Sequence, residues 1–88
     1  GIQSHGVIAN AKHFITNNQE NNRTHESNHV DERTRFEIYY PPFEAAIKAN
    51  VGTFMCSYNL INGVYACENP ETINELRNDL GFEGWLMV

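Results

Sequence analysis

Long apolar runs are missing from this chain: nothing in it approaches the ~20 consecutive apolar residues of a membrane-spanning helix. A secretory leader pattern is also absent from its 88 residues. Basic side chains are scarce, six against eleven acidic ones, for a net charge of −5. Nucleic acids and anionic membranes both reward clustered Lys and Arg, so neither is expected as a partner. No glycine-rich phosphate loop follows any strand candidate, which tells against a flavodoxin-like binding domain. Repeats are lacking too, and the only biased tract is rich in Asn. With just two cysteines, Cys56 and Cys67, at most one disulfide can form. They flank a loop, and would pair in an oxidising compartment or stay as two thiols in a reducing one.

What the chain does contain starts with Gly6-Val7-Ile8-Ala9-Asn10-Ala11-Lys12-His13-Phe14. A small, β-branched apolar run bounded by glycine predicts a strand buried on both faces. Lys12 and His13 would be costly inside it, so they belong at its C-terminal end, where parallel α/β folds bind ligands. From spacing alone, a solvated loop accounts for them equally well. Ile15 to Val30 has no period and reads as a long polar loop, with a short extended arm near Ser27 to Val30. It holds the sequon Asn22-Arg23-Thr24, a glycosylation site at Asn22 if the protein is secreted.

Asp31 to Asn50 carries an apolar stripe through Phe36, Tyr39/Tyr40, Phe43, Ala46 and Ile47, and predicts a helix. Pro41-Pro42 should break it into pieces at about 32–39 and 42–49, with Pro42 opening the second. Val51 to Tyr58 is a second buried strand, followed by a loop with the turn signal Asn62-Gly63. Asn69 then caps a helix with Pro70 at its first position, lined by Ile73, Leu76 and Leu80 and ended by Gly81. Trp85 to Val88 opens a third strand. The expected class is therefore α/β, in the order strand, helix, strand, helix, strand, with crossovers long enough for parallel pairing.

Closing a (β/α)8 barrel takes about 250 residues. Gly1 to Gly6 resembles the last turn of a helix, and Trp85 to Val88 has no turn after it, so both ends look cut. The expectation is a piece of a larger protein.

Five segments in order then resemble successive motifs of family 3 glycoside hydrolases, of the β-glucosidase branch. They are Val7 to Phe14, Asn18-Gln19-Glu20 with Arg23, Glu37-Ile38-Tyr39 with Pro42-Phe43, Met55-Cys56-Ser57-Tyr58-Asn59, and Leu80-Gly81-Phe82-Glu83-Gly84. The resemblance covers essentially the whole chain. It implies that residues 1–88 are part of an N-terminal (β/α)8-like, TIM-like barrel domain. It also implies that Lys12, His13, Met55 and Tyr58 bind the sugar in the −1 subsite. The family's nucleophile is an aspartate that would come just after Val88, and its acid/base carboxylate lies in a later domain. The implied protein is a retaining, cofactor-free, secreted β-glucosidase acting on β-glucosides or oligosaccharides, and the remaining domains of the same polypeptide complete it.

A β-xylosidase, or another family 3 exo-glycosidase, shares much of this pattern. The β-N-acetylhexosaminidase branch usually continues Lys-His-Phe with Pro-Gly-His, where this chain has Ile15-Thr16-Asn17. A non-catalytic carbohydrate-binding relative is the alternative from another class, to be separated by the residue after the third strand. Glu20, Glu26, Glu32 and Glu37 sit on the loop or helix and are read as solvated or structural. Among His5, His13, His25 and His29 only His25 and His29 are close, and their spacing needs a helix that the loop does not offer, so no metal is expected. Adjacent strand residues point to opposite faces. Lys12 and His13 therefore reach one ligand only if the backbone turns sharply between them, through a strained or cis peptide.

Overall fold

The computed structural model describes residues 1–17, 22 and 24–88. Asn18, Gln19, Glu20 and Arg23 of the second motif lie outside the described residues. The chain opens on a 3-10 turn, Ile2–His5, closed by Gly6 in the left-handed region at φ 76°. Strand β1 (Asn10–Phe14) and the two-residue strand β2 (Ser27–Asn28) follow. The Asp31 carboxylate accepts the Thr34 N–H at 2.8 Å and caps α1 (Glu32–Thr34). A π-helical stretch, Arg35–Tyr39, continues α1, and there the Tyr40 N–H donates to the Arg35 carbonyl at 2.7 Å. Helix α2 (Pro41–Lys48) begins at Pro41 rather than at the expected Pro42. Neither proline needs a donor in a first turn, so the helix starts one residue earlier.

Next come β3 (Thr53–Cys56), β4 (Leu60–Ile61) and β5 (Val64–Tyr65), so the expected loop holds a small hairpin. Its turn residues Asn62 and Gly63 both take positive φ, 50° and 88°. Asn69 caps α3 (Pro70–Asn74) by accepting from the N–H groups of Glu71 and Thr72. A second π-helical stretch, Glu75–Asp79, extends it to Gly81, and β6 (Trp85–Met87) ends the sequence of elements.

The main sheet has the order β1-β3-β6, all parallel. A second sheet pairs β2 parallel to β4 and β4 antiparallel to β5. Residues in register share a face. Ala11, Phe54 and Leu86 form the row that faces the helices, and Phe54 is fully buried there. On the other face lie the rows Asn10, Thr53, Trp85 and Lys12, Met55, Met87. Among the described residues no helix packs on that face, and Trp85 is 78% exposed. The expectation of a first strand buried on both faces is corrected accordingly: Val7 and Ile8 are exposed, because the described helices cover the sheet on one side.

The core is largely aromatic. Phe14 stacks between Tyr40 and Phe54 at centroid distances of 5.7 and 6.2 Å, and Phe82 closes on Phe54 at 4.5 Å. At the N-terminal edge of the sheet, one side chain ties three segments. Gln3 accepts from the N–H groups of Ala9 and Gly52 and donates to the Asn50 carbonyl. Among the described residues no helix is long and apolar enough to cross a membrane.

Candidate active-site rim

The end of β1 departs from regular strand geometry. Lys12 is opposite Met55 but Phe14, not His13, is opposite Cys56, so His13 is an extra residue, a bulge. Strict alternation would put His13 on the helix face and Phe14 on the open one. With the bulge, Phe14 returns to the core at 1% exposure, and His13 stays half-buried beside the exposed Lys12. The Lys12–His13 peptide is cis, and so is Phe14–Ile15. Lys12 and His13 line a cavity of about 470 Å³ whose far wall is Ile38, Tyr39, Pro42 and Phe43. The buried Oδ1 of Asn17, beside it, has no hydrogen-bond partner among the described residues.

The segment after β3 is stitched to the segment after β1. The Ser57 N–H donates to the Phe14 carbonyl at 2.7 Å, and the Ser57 hydroxyl to the Ile15 carbonyl at 2.9 Å. The Asn59 amide donates to the Ile15 carbonyl and to Thr16 Oγ1, at 3.2 and 3.0 Å. Ser57 and Asn59 are both buried, and Tyr58 between them is half exposed. Tyr58 lines a second cavity, of about 340 Å³, with Tyr65, Val88 and the disulfide joining Cys56 to Cys67. That bond holds the end of β3 to the turn before α3, with the two Cα atoms 5.4 Å apart. Met55 is half-buried on the open face, in register between Lys12 and Met87.

Lys12, His13, Met55 and Tyr58 thus sit at the C-terminal ends of two neighbouring parallel strands. Lys12 with His13 and Tyr58 border different cavities along that edge. A lysine brings three donors, a neutral histidine one donor and one acceptor, and a tyrosine an apolar ring with a polar tip. Such a set suits a neutral, hydroxyl-rich molecule. Asn22 is exposed with φ 56°. His25 and His29 are exposed, and no three metal-ligating side chains cluster among the described residues. Glu32 and Glu37 are exposed, Glu37 pairing with Arg33 at 2.9 Å, while Glu26 is half-buried.

Sequence reasoning missed the buried charges. Arg35, 1% exposed, donates from Nε to Glu75 at 2.9 Å, from Nη2 to Glu71 at 2.7 Å, and from Nη1 to the Val30 carbonyl at 2.8 Å. The Tyr40 hydroxyl donates to the same Glu75 oxygen at 2.9 Å. Burial and then Glu75 push the Tyr40 phenol well above its ordinary value. Burial would lower the Arg35 value, but the bonds and charges of Glu75 and Glu71 outweigh it. One signal was available: Arg35 lies four residues before Tyr39, on the apolar stripe, where a charge needs a buried partner.

The sequence pattern of the "Glycosyl hydrolase family 3 N terminal domain" matches residues 1–88. "Beta-glucosidase cel3A" of Pyricularia oryzae is 51% identical over 88 residues, 99% of this chain and 12% of that protein. The crystal structure of the β-D-glucoside glucohydrolase from Trichoderma reesei superposes with a TM-score of 0.95 at 49% identity, over 98% of this chain and 12% of that one. DesR, a β-glucosidase from Streptomyces venezuelae solved with D-glucose, gives a TM-score of 0.91 at 49% identity, over 97% and 11%. The chain therefore spans about an eighth of the length of these relatives, and it belongs to glycosyl hydrolase family 3, within the N-terminal domain.

Proposed function

We propose that this chain is a segment of the N-terminal barrel domain of a secreted, retaining β-glucosidase that removes terminal β-linked glucose without a cofactor. Lys12, His13, Met55 and Tyr58 hold the sugar in the −1 subsite. The nucleophilic aspartate follows Val88, and the acid/base carboxylate comes from a later domain, so the two carboxylates of retaining hydrolysis lie outside this segment. Three parallel strands joined by helical crossovers fit consecutive strands of such a barrel, with the open sheet face turned to its interior. The names of the relatives support the glucoside, and their length supports further domains. The Cys56–Cys67 bond and the Asn22 sequon support an extracellular setting.

The observation that carries the reading is the bulge at His13. It keeps Phe14 in the core while leaving His13 beside Lys12 at the edge where parallel α/β folds bind ligands. Lys12 supplies charged hydrogen bonds to sugar hydroxyls, and these fix the ring's position and hold it in the distorted shape that approaches the transition state. In the complete enzyme, Lys12→Ala should lower kcat/KM on an aryl β-glucoside by ~10² or more. A variant within twofold of the parent enzyme would make Lys12 a surface lysine and overturn the assignment.

A further inference from the structure

The buried Arg35–Glu75–Tyr40 group lies outside the sugar-gripping set, yet a chain of contacts joins it to His13. Each of the two π-helical stretches begins at one member of the ion pair, Arg35 in the first and Glu75 in the second. The extra residue per turn in such stretches recurs at functional sites. Glu75 Oε1 accepts from both Arg35 and the Tyr40 hydroxyl, at 2.9 Å each, so the phenol is held by a charge that is itself held. The Tyr40 ring lies nearly parallel to that of Phe14, 10° between planes, with the centroids 5.7 Å apart. Phe43 meets Phe14 edge-on at 5.1 Å and forms part of the wall facing Lys12 and His13. Phe14 is the residue at which strand register resumes after the bulge.

We propose that Tyr40 is a positioning residue for His13: its hydroxyl, fixed by Glu75 and Arg35, sets where Phe14 stacks and so where the bulge ends. The inference rests on the reading of Lys12 and His13 as the sugar grip. Tyr40 touches no substrate and acts only through Phe14. An ion pair replaceable by apolar residues contributes modestly to stability, and its use here is to specify one geometry.

Tyr40→Phe in the full-length enzyme removes one hydroxyl and keeps the ring. At a temperature well below each variant's Tm, KM for an aryl β-glucoside and the inhibition constant of D-glucose should both rise about three- to tenfold, with kcat changed less than about twofold. In a His13→Ala background, Tyr40→Phe should add nothing, because the residue it positions is gone. A lower Tm with unchanged KM and inhibition constant would leave Tyr40 merely structural and overturn the inference, as would full additivity in the double variant. If His13→Ala weakens glucose binding and Tyr40→Phe does not, only the positioning role falls. If His13→Ala itself changes nothing, the sugar-grip reading fails and takes the inference with it. Should Tyr40→Phe not fold, the paired change Arg35→Met with Glu75→Leu releases the same hydroxyl and supports the same comparison.

Discussion

Tyr40 also sets how the protein should meet alkali. Its phenol is raised above the ordinary 10.0, first by burial and then by Glu75. A raised folded-state value means that above pH 10 the unfolded chain loses this proton while the folded one keeps it. The contribution is therefore complete below pH 10 and is lost as pH rises through the folded value. Tyr40→Phe should flatten the fall of Tm above pH 10, and thermal melts of the full-length protein across pH 8–12 would check it. Gln3 works at the opposite edge of the sheet, where its three hydrogen bonds satisfy two N–H groups and one carbonyl. Gln3→Ala should cost about 1–3 kcal/mol in chemical denaturation and leave KM unchanged. Polar pairs such as Lys12-His13 were legible in the sequence because they interrupt an apolar run. Arg35 and Glu75 were not, since their partnership spans 40 residues and no local pattern encodes it.

Among the elements, those that end on local chemistry were the most legible. Asp31 and Asn69 cap because their carboxyl or amide oxygen meets N–H groups two or three residues on, and Gly6 and Gly81 close turns at φ 76°. The bulge and the two π-helical stretches were not legible. Each is a one-residue slip decided by what must pack at a distance, Phe14 in one case and the Arg35–Glu75 pair in the other. The bulge gives an unusual expectation. Deleting His13 would leave Phe14 on the helix face by simple alternation, so the core should survive while kcat/KM falls by ~10² or more. Gly84→Ala should act on stability first. A Cβ there would clash with the Gly52 carbonyl oxygen, the acceptor of the Trp85 N–H. The clash should cost roughly 1–3 kcal/mol, read as a lower Tm, by pushing β6 off β3.

As a whole, the described sheet is unfinished by its own chemistry. β1 and β6 both present unpaired edges, and Val7, Ile8, Trp85 and Met87 lie exposed. The class and the parallel direction could be read from sequence because the strand candidates alternate with helical crossovers long enough for parallel pairing, whereas the exposed face follows from no local pattern. The 88-residue chain expressed alone should show no turnover of an aryl β-glucoside above that of its own Lys12→Ala variant, while a chain holding the complete catalytic domains should. Turnover by the short chain would place a catalytic carboxylate within it. The same sheet has a consequence for biosynthesis, since none of its strands pairs with the strand next to it in the chain. The contact of Asn10 with Thr53 bridges 43 residues, and that of Cys56 with Met87 bridges 31. At synthesis rates of about 5–20 residues per second, β1 waits roughly 2–9 s after emerging from the ribosome before its partner exists. Through that interval the edge of β1 that β3 will cover stays open, which makes it the edge a chaperone would have to shield.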